Sequence, residues 1–314
     1  MSLSTPDLME QLNSVVSVPI VPFRGDHEID YEAHAKNLTY LMENNHLEGN
    51  RRRVVTIAGT SLIHHISRED QVKLMDFTGS HLAGEGVLIS GIVPNPIGDA
   101  GNLVEAQSKL RFPPDVYLLM PLTGVQNSQG LYELYIQFAE KYGVSCNARF
   151  IYYLRNKAEL EVAIRLINES PYVIGVKIGT DEADVTPAVE GVDGDSGMVI
   201  WGIGDRCTEP AEKGTTGHTS GINLVVARAS DKMNNAQRRG DYEASRQIEA
   251  HIAPLEDIRF RDSRMYNYSA VVEAIHLGRF EDVAGGEGGP FNPRVPEEVA
   301  AEVKVALELL EQYH

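Results

Sequence analysis

The chain is predicted to fold as a single (β/α)8 (TIM) barrel with a C-terminal helical extension. Three observations predict this: short β-rich runs alternate with amphipathic stretches up to about residue 225, the remainder reads as helix, and no Gly-rich turn follows the first run. Parallel strands need crossover connections, so strict alternation implies a parallel sheet covered by helices. An open doubly wound sheet is the rival. It would place a phosphate-binding glycine turn after its first strand, where this chain has Pro22-Phe23-Arg24-Gly25-Asp26.

In order, the predicted strands are Val15–Phe23, Val54–Ala58, Gly86–Val93, Val116–Met120, Arg149–Leu154, Val173–Ile178, Met198–Ile203 and Gly217–Ile222. Between them Tyr31–Asn44, Glu69–Leu82, Gln129–Tyr142 and Lys157–Asn168 carry apolar residues at helical spacing. Beyond residue 225, helices are expected over Ser230–His251, Pro254–Leu277 and Pro296–Tyr313, with Gly285–Pro290 as a loop. The expected division is a barrel over 1–225 and C-terminal helices over 226–314 packed on it as one structural unit.

Composition narrows the function. A net charge of −17 sets the surface against phosphate backbones and anionic lipid, so neither nucleic acid nor a membrane is an expected partner. An anionic substrate would need a local device to hold it. Cys146 and Cys207 lack metal-ligand spacing, and two lone cysteines fit a reducing cytoplasm, the expected location. No apolar run reaches the length of a bilayer span, and Met1–Gln11 lacks the layout of a signal peptide.

In such barrels the chemistry sits at the C-terminal ends of the strands. Arg51-Arg52-Arg53 precedes the second strand and so reads as a solvated basic cluster on the opposite face. On the sixth strand Val173, Gly175 and Lys177 share one face, and Ile174, Val176 and Ile178 the other. The aliphatic face should pack on helices, which points Lys177 into the barrel. A lysine there loses hydration, its pKa falls, and a neutral amine can attack a keto group. The ordinary alternative is a rim lysine reaching water.

Three further positions are candidates. Tyr152 and Tyr153 end the fifth strand; alternation turns one of them inward, where its hydroxyl could shuttle protons. Thr60 and Ser61 follow the second strand on a tight turn that could hold a carboxylate. Gly204, Thr219, Ser220 and Gly221, after strands seven and eight, suit close approach of backbone to a ligand. His64-His65 stands near the predicted mouth, but adjacent histidines do not easily share one ion, and no metal site is expected. Trp201 is read as barrel filling.

Taken in order, these segments resemble the family of dihydrodipicolinate synthase and N-acetylneuraminate lyase, the class I aldolases and keto-deoxy sugar-acid dehydratases. The resemblance lies in Val18-Pro-Ile-Val-Pro-Phe23 with Glu28-Ile-Asp30, Ala58-Gly-Thr-Ser61 with Ile66-Ser-Arg-Glu69, Gln129-Gly-Leu-Tyr132, and above all Val173-Ile-Gly-Val-Lys177. It covers residues 14 to 312. It implies a homo-oligomer (tetramer or dimer), no cofactor, and a 2-keto acid held covalently as an imine on Lys177. It also implies a strand-five tyrosine as proton shuttle and a carboxylate held at Thr60 and Ser61. The spacing to Lys177 does not choose between Tyr152 and Tyr153.

The chain departs from the pattern at Ser61-Leu62-Ile63, where the family has T-G-E, and at Leu122-Thr123, where it has a tyrosine pair. Tyr153-Leu-Arg155 resembles the Y-x-R of the keto-deoxy sugar-acid dehydratases instead of Y-N-x-P, and Arg155 could hold a distal carboxylate. The expected activity is therefore that of a lyase on a 2-keto-3-deoxy sugar acid. Two other readings fit the same residues. One is dihydrodipicolinate synthase condensing pyruvate with aspartate semialdehyde; the other is a keto-acid-binding paralogue without turnover.

Overall fold

Eight parallel strands close into a barrel in the computed structural model, which describes residues 3–314. They are β1 (Val15–Ser17), β2 (Val54–Ile57), β3 (Val87–Ile92), β4 (Val116–Leu119), β5 (Phe150–Leu154), β6 (Val173–Ile178), β7 (Met198–Trp201) and β8 (His218–Ser220). Each strand pairs with the next in sequence, and β8 pairs with β1 to remove the sheet edges. The first run is a strand over three residues only. From Val18 it continues as irregular chain, because Pro19 and Pro22 cannot donate to a ladder.

A helix α1 (Thr5–Leu12) precedes the barrel; its Leu8 and Leu12 are buried. The barrel helices are α2 (Tyr31–Glu43), α3 (Arg68–Leu82), α4 (Ile97–Gln107), α5 (Ser128–Cys146), α6 (Leu160–Glu169), α7 (Val185–Gly191), α8 (Thr208–Glu212) and α9 (Asn223–Arg238). Several begin where a short polar side chain satisfies a free backbone N–H: Asp30 accepts from Ala33 N at 2.9 Å, and Asn127 from Gly130 N at 2.9 Å. The expected boundary at residue 225 falls inside α9, which packs on β1, β8 and α2 and belongs to the barrel shell.

The extension comprises α10 (Tyr242–Arg264), α11 (Ser269–Gly278) and α12 (Glu297–Leu307). The expected break at Pro254 does not occur, since α10 runs through it. Instead the chain breaks at Arg261–Ser263, and Asp262, Ser263 and Arg264 all have positive φ (48°, 61° and 75°). The 285–290 loop folds back on the first strand's exit, where Glu287 N donates to Phe23 O at 2.8 Å. No helix among the described residues is long and apolar enough to cross a membrane.

The basic cluster is corrected. Arg53 is 1% exposed and makes a two-pronged ion pair with the buried Asp231 of α9 (2.8 and 2.7 Å). It also donates to the carbonyls of Leu41 and Asn44, while Arg51 ties to Glu10 of α1 at 2.5 Å and to Asn13 O. Only Arg52 is exposed. Their place before β2 is as expected, but two of the three guanidiniums clamp helices across the N-terminal end instead of meeting solvent. Trp201 is likewise buried, but strand alternation and its pairing beside Ile178 set it on the helix-facing side of β7.

Candidate active site

At the C-terminal end of the barrel lies a cavity of about 370 Å³, and Lys177 and Tyr153 line it together. Register explains the pairing: Tyr153 on β5 is the direct partner of Lys177 on β6, so the two side chains point to the same side. The Lys177 Nζ stands 4.4 Å from the centre of the Tyr153 ring. Lys177 is 8% exposed and, among the described residues, has no carboxylate within ion-pair distance. Burial pulls its amine below the ordinary lysine range; Tyr153 opposes this and the Arg155 charge adds to it. Gly202 makes room for the stem, since a Cβ there would lie 2.8 and 2.9 Å from Lys177 Cγ and Cε.

The alternation left open between the tyrosines resolves in favour of Tyr153. Tyr152 faces the helices, donates its hydroxyl to the buried Glu159 at 2.7 Å, and packs edge-on against Tyr135. Its pKa is raised by burial and by that hydrogen bond. Tyr153 Oη instead accepts from Arg155 Nη1 at 3.3 Å and from Arg264 Nη1 at 3.5 Å.

The predicted carboxylate turn divides in the same way. Thr60 lines the cavity, and its Oγ1 accepts from Asn267 Nδ2 at 3.3 Å. Ser61 is fully buried and its hydroxyl is already engaged. It donates to Pro19 O at 2.7 Å and accepts from Ala58 N at 3.3 Å, closing the turn from behind. The carboxylate role carried onto Ser61 therefore has no free hydroxyl to support it.

Of the four residues singled out around the ends of β7 and β8, Gly204, Thr219 and Gly221 line the cavity and Ser220 does not. Ser220 points outward, donating to the buried Asp205 at 2.7 Å, which also accepts from Ser230 at 2.5 Å. Thr219 Oγ1 donates to Trp201 O at 3.0 Å. The space above Gly221 is taken by protein: a Cβ there would lie 2.0 Å from Arg259 Nη2.

Arg259 belongs to a set that the sequence reading missed. The extension sends Arg259, Phe260, Arg264 and Asn267 to the cavity wall. Arg259 is held by the buried Glu256 at 2.5 Å and by Asn267 Oδ1 at 2.6 Å. Burial raises the Glu256 carboxyl above its ordinary range, and Arg259 works against that. The hydrogen bonds from Glu256 through Arg259 and Asn267 to Thr60 tie the extension to the β2 turn. His64 also lines the cavity, with its pKa lowered by burial and by His65.

Chemically, the arrangement offers a dehydrated amine, a phenol beside it, a hydroxyl opposite, and guanidiniums at the rim. The model of the dihydrodipicolinate synthetase family matches residues 11–283. The chain belongs to that family. Its members are lyases and dehydratases of the class I aldolase type, and the chain is such an enzyme. It is 20% identical over 266 residues to the 4-hydroxy-tetrahydrodipicolinate synthase of Psychrobacter sp. (strain PRwf-1), covering 84% of this chain and 85% of that one. It is 24% identical over 275 residues to a probable 5-dehydro-4-deoxyglucarate dehydratase of Oceanobacillus iheyensis, covering 84% and 83%. The crystal structure of dihydrodipicolinate synthase from Bacillus clausii superposes with a TM-score of 0.85 at 20% identity, covering 96% and 98%.

Proposed function

We propose that this family member is a lyase acting on a 2-keto-3-deoxy sugar acid through an imine on Lys177. The observation that carries the reading is a buried amine that, among the described residues, has no anionic partner and faces a cavity beside Tyr153. The neutral Nζ adds to the C2 carbonyl, and the carbinolamine loses water to leave a protonated imine. The imine withdraws electrons from C3, so a C3 proton departs to a base and an enamine forms. The enamine then expels the C4 hydroxyl, protonated to leave as water, and hydrolysis of the imine returns the lysine. Cleavage of C3–C4 would proceed through the same imine. The electron sink is the imine itself, so the reaction as proposed requires no separate cofactor and no metal.

Tyr153 is the proposed proton shuttle, being the phenol within reach of the lysine. Thr60, on the turn after β2, is assigned to the C1 carboxylate, and Arg155 to the far end of the substrate. A second reading, synthase activity on pyruvate and aspartate semialdehyde, is favoured by the name of the Psychrobacter relative. Against it stand Leu122 and Thr123 where the family has tyrosines, and the Tyr153-Leu-Arg155 sequence at the strand-five rim. A homo-oligomer is part of the proposal, supported by exposed Val125 and Leu134 beside an apolar groove between α4 and α5. Sedimentation would read the oligomeric state.

The test is reductive trapping. Incubation with pyruvate and borohydride should add one reduced pyruvyl group to the protein and none to Lys177→Ala. No adduct with any 2-keto acid would favour a paralogue that binds without turnover. Turnover of keto-deoxy sugar acids, compared with pyruvate plus aspartate semialdehyde, separates the two enzyme readings.

A further inference from the structure

We propose that Asn267, in the C-terminal extension, is a positioning residue that holds the Thr60 hydroxyl as a hydrogen-bond donor to the C1 carboxylate. This rests on the imine reading of Lys177 and on Thr60 as the carboxylate contact, and it adds the group that sets the polarity of that contact.

The direction of the hydrogen bonds follows from the guanidinium at their centre, which can donate but never accept. Arg259 is buried, and its Nη1 donates to Glu256 Oε1 at 2.5 Å. Its Nη2 donates to Asn267 at 2.6 Å, and so must meet the amide oxygen. Its Nε reaches the backbone carbonyl of the same residue at 3.4 Å, so one guanidinium grips Asn267 at two points. With its oxygen taken, the amide turns Nδ2 toward Thr60 Oγ1 at 3.3 Å. An amide nitrogen donates only, so Thr60 accepts and keeps its own proton for another partner. Thr60 lines the cavity beside Lys177, and an ionised carboxylate is a partner that only accepts.

Neighbouring hydroxyls have the opposite polarity. Ser61 gives its proton to Pro19 O at 2.7 Å, and Thr219 gives its proton to Trp201 O at 3.0 Å. Thr219 lines the same cavity but can offer it only lone pairs. Thr60 differs because its protein partner is a donor.

The break in α10 makes this contact possible. In an uninterrupted helix, residues 259 and 267 would stand about 12 Å apart along the axis. Positive φ at Asp262, Ser263 and Arg264 interrupts the helix, and the two side chains meet. The Tyr268 hydroxyl then pins the next residue by donating to Val21 O at 3.0 Å.

The experiment measures the pyruvate concentration that gives half-maximal borohydride trapping on the intact enzyme. It compares the parent with Thr60→Val, Asn267→Asp and the double variant. Aspartate keeps an oxygen for Arg259 but turns a second acceptor toward Thr60, so the tie is preserved and the polarity reversed. Thr60→Val should raise the half-saturating concentration about tenfold or more, the range of a hydrogen bond to a charged group. Asn267→Asp should raise it by a similar factor in the parent, and by less than about twofold in Thr60→Val, where no hydroxyl remains to be turned. A merely structural tie predicts instead that aspartate matches asparagine.

Parent-like trapping by Asn267→Asp overturns the proposal. So does an effect that persists in full in Thr60→Val, which would be direct charge repulsion. If Asn267→Asp does not fold, Asn267→Ala takes its place: a rise of about threefold or more that vanishes in Thr60→Val supports the proposal, and no rise overturns it. Unchanged trapping by Thr60→Val removes the carboxylate contact and this inference with it, leaving the imine intact. If pyruvate leaves no adduct on the parent enzyme, the imine reading itself fails and takes the inference with it.

Discussion

At the N-terminal end of the barrel, Arg53 is buried with Asp231 and two backbone carbonyls around its guanidinium. At the C-terminal end, Lys177 is nearly as buried, yet it has a cavity beside it and, among the described residues, no carboxylate within ion-pair distance. The same burial has opposite consequences. A charge removed from water is tolerated when its partner is removed with it, and breaking such a pair is costly. A cation without a partner is destabilised in its charged form, and a lysine answers by giving up its proton. The first arrangement fastens α9 to the barrel, and the second is what the proposed nucleophile requires.

The contrast can be broken most severely at the catalytic end. Tyr153→Phe should lower turnover about 10²–10⁴-fold, the usual contribution of a positioned proton-transfer group, while leaving the lysine able to be trapped. Steady-state rates alongside the yield of pyruvate adduct read both parts. At the structural end, Asp231→Ala should cost about 3–5 kcal/mol in urea unfolding by leaving Arg53 charged and unpaired. The fraction that remains folded should still form the adduct. Between these lies Tyr152→Phe, which removes a hydrogen bond to Glu159 on the helix side. It should cost about 1–3 kcal/mol of stability and leave turnover unaltered. A loss of turnover there equal to that of Tyr153→Phe would show that the assignment of the two rings is reversed.

The smallest effect sharpens the comparison through pH. Because the folded-state pKa of Lys177 is lowered, the unfolded chain binds the extra proton between that value and about 10.4. Folding stability then rises with pH across this window, and below it the full penalty of the buried lysine is felt. Lys177→Met should therefore be more stable than the parent at neutral pH, with the advantage shrinking as pH approaches 10. Thermal unfolding of both proteins across that range reads the slope.

Much of this contrast was legible in the sequence, because strand alternation is a local property. The β6 pattern of small or aliphatic residues around Lys177 sufficed to aim it inward, and the same rule reduced the β5 aromatics to one inward ring. What alternation could not say was which ring, since the register between β5 and β6 is irregular at Phe150/Ile151. Ser61 and Ser220 were misjudged for a related reason. A hydroxyl in the right loop looks available until its acceptor, Pro19 O or Asp205, is known from distant chain.

The arginines illustrate the deeper limit. Arg53 was read as solvated because its partner lies 178 residues further on. Arg259 and Arg264 fall inside the expected Pro254–Leu277 helix, where no motif singles them out. No glycine or proline marks the break at Arg261–Ser263, whereas Pro254, which looked like a breaker, is accommodated inside α10. Sequence shows which residues can carry charge, and only tertiary structure shows which charges are left unanswered.

The most direct measurement is the titration of the Lys177 amine itself. Carbon-13 labelling of the lysine side chains, with the Lys177 signal identified by its loss in Lys177→Met, gives that pKa by NMR. A midpoint well below the ordinary lysine value of about 10.4 is the predicted result. A midpoint at or above it would mean an ammonium that is solvated or paired, and the proposed nucleophile would be lost.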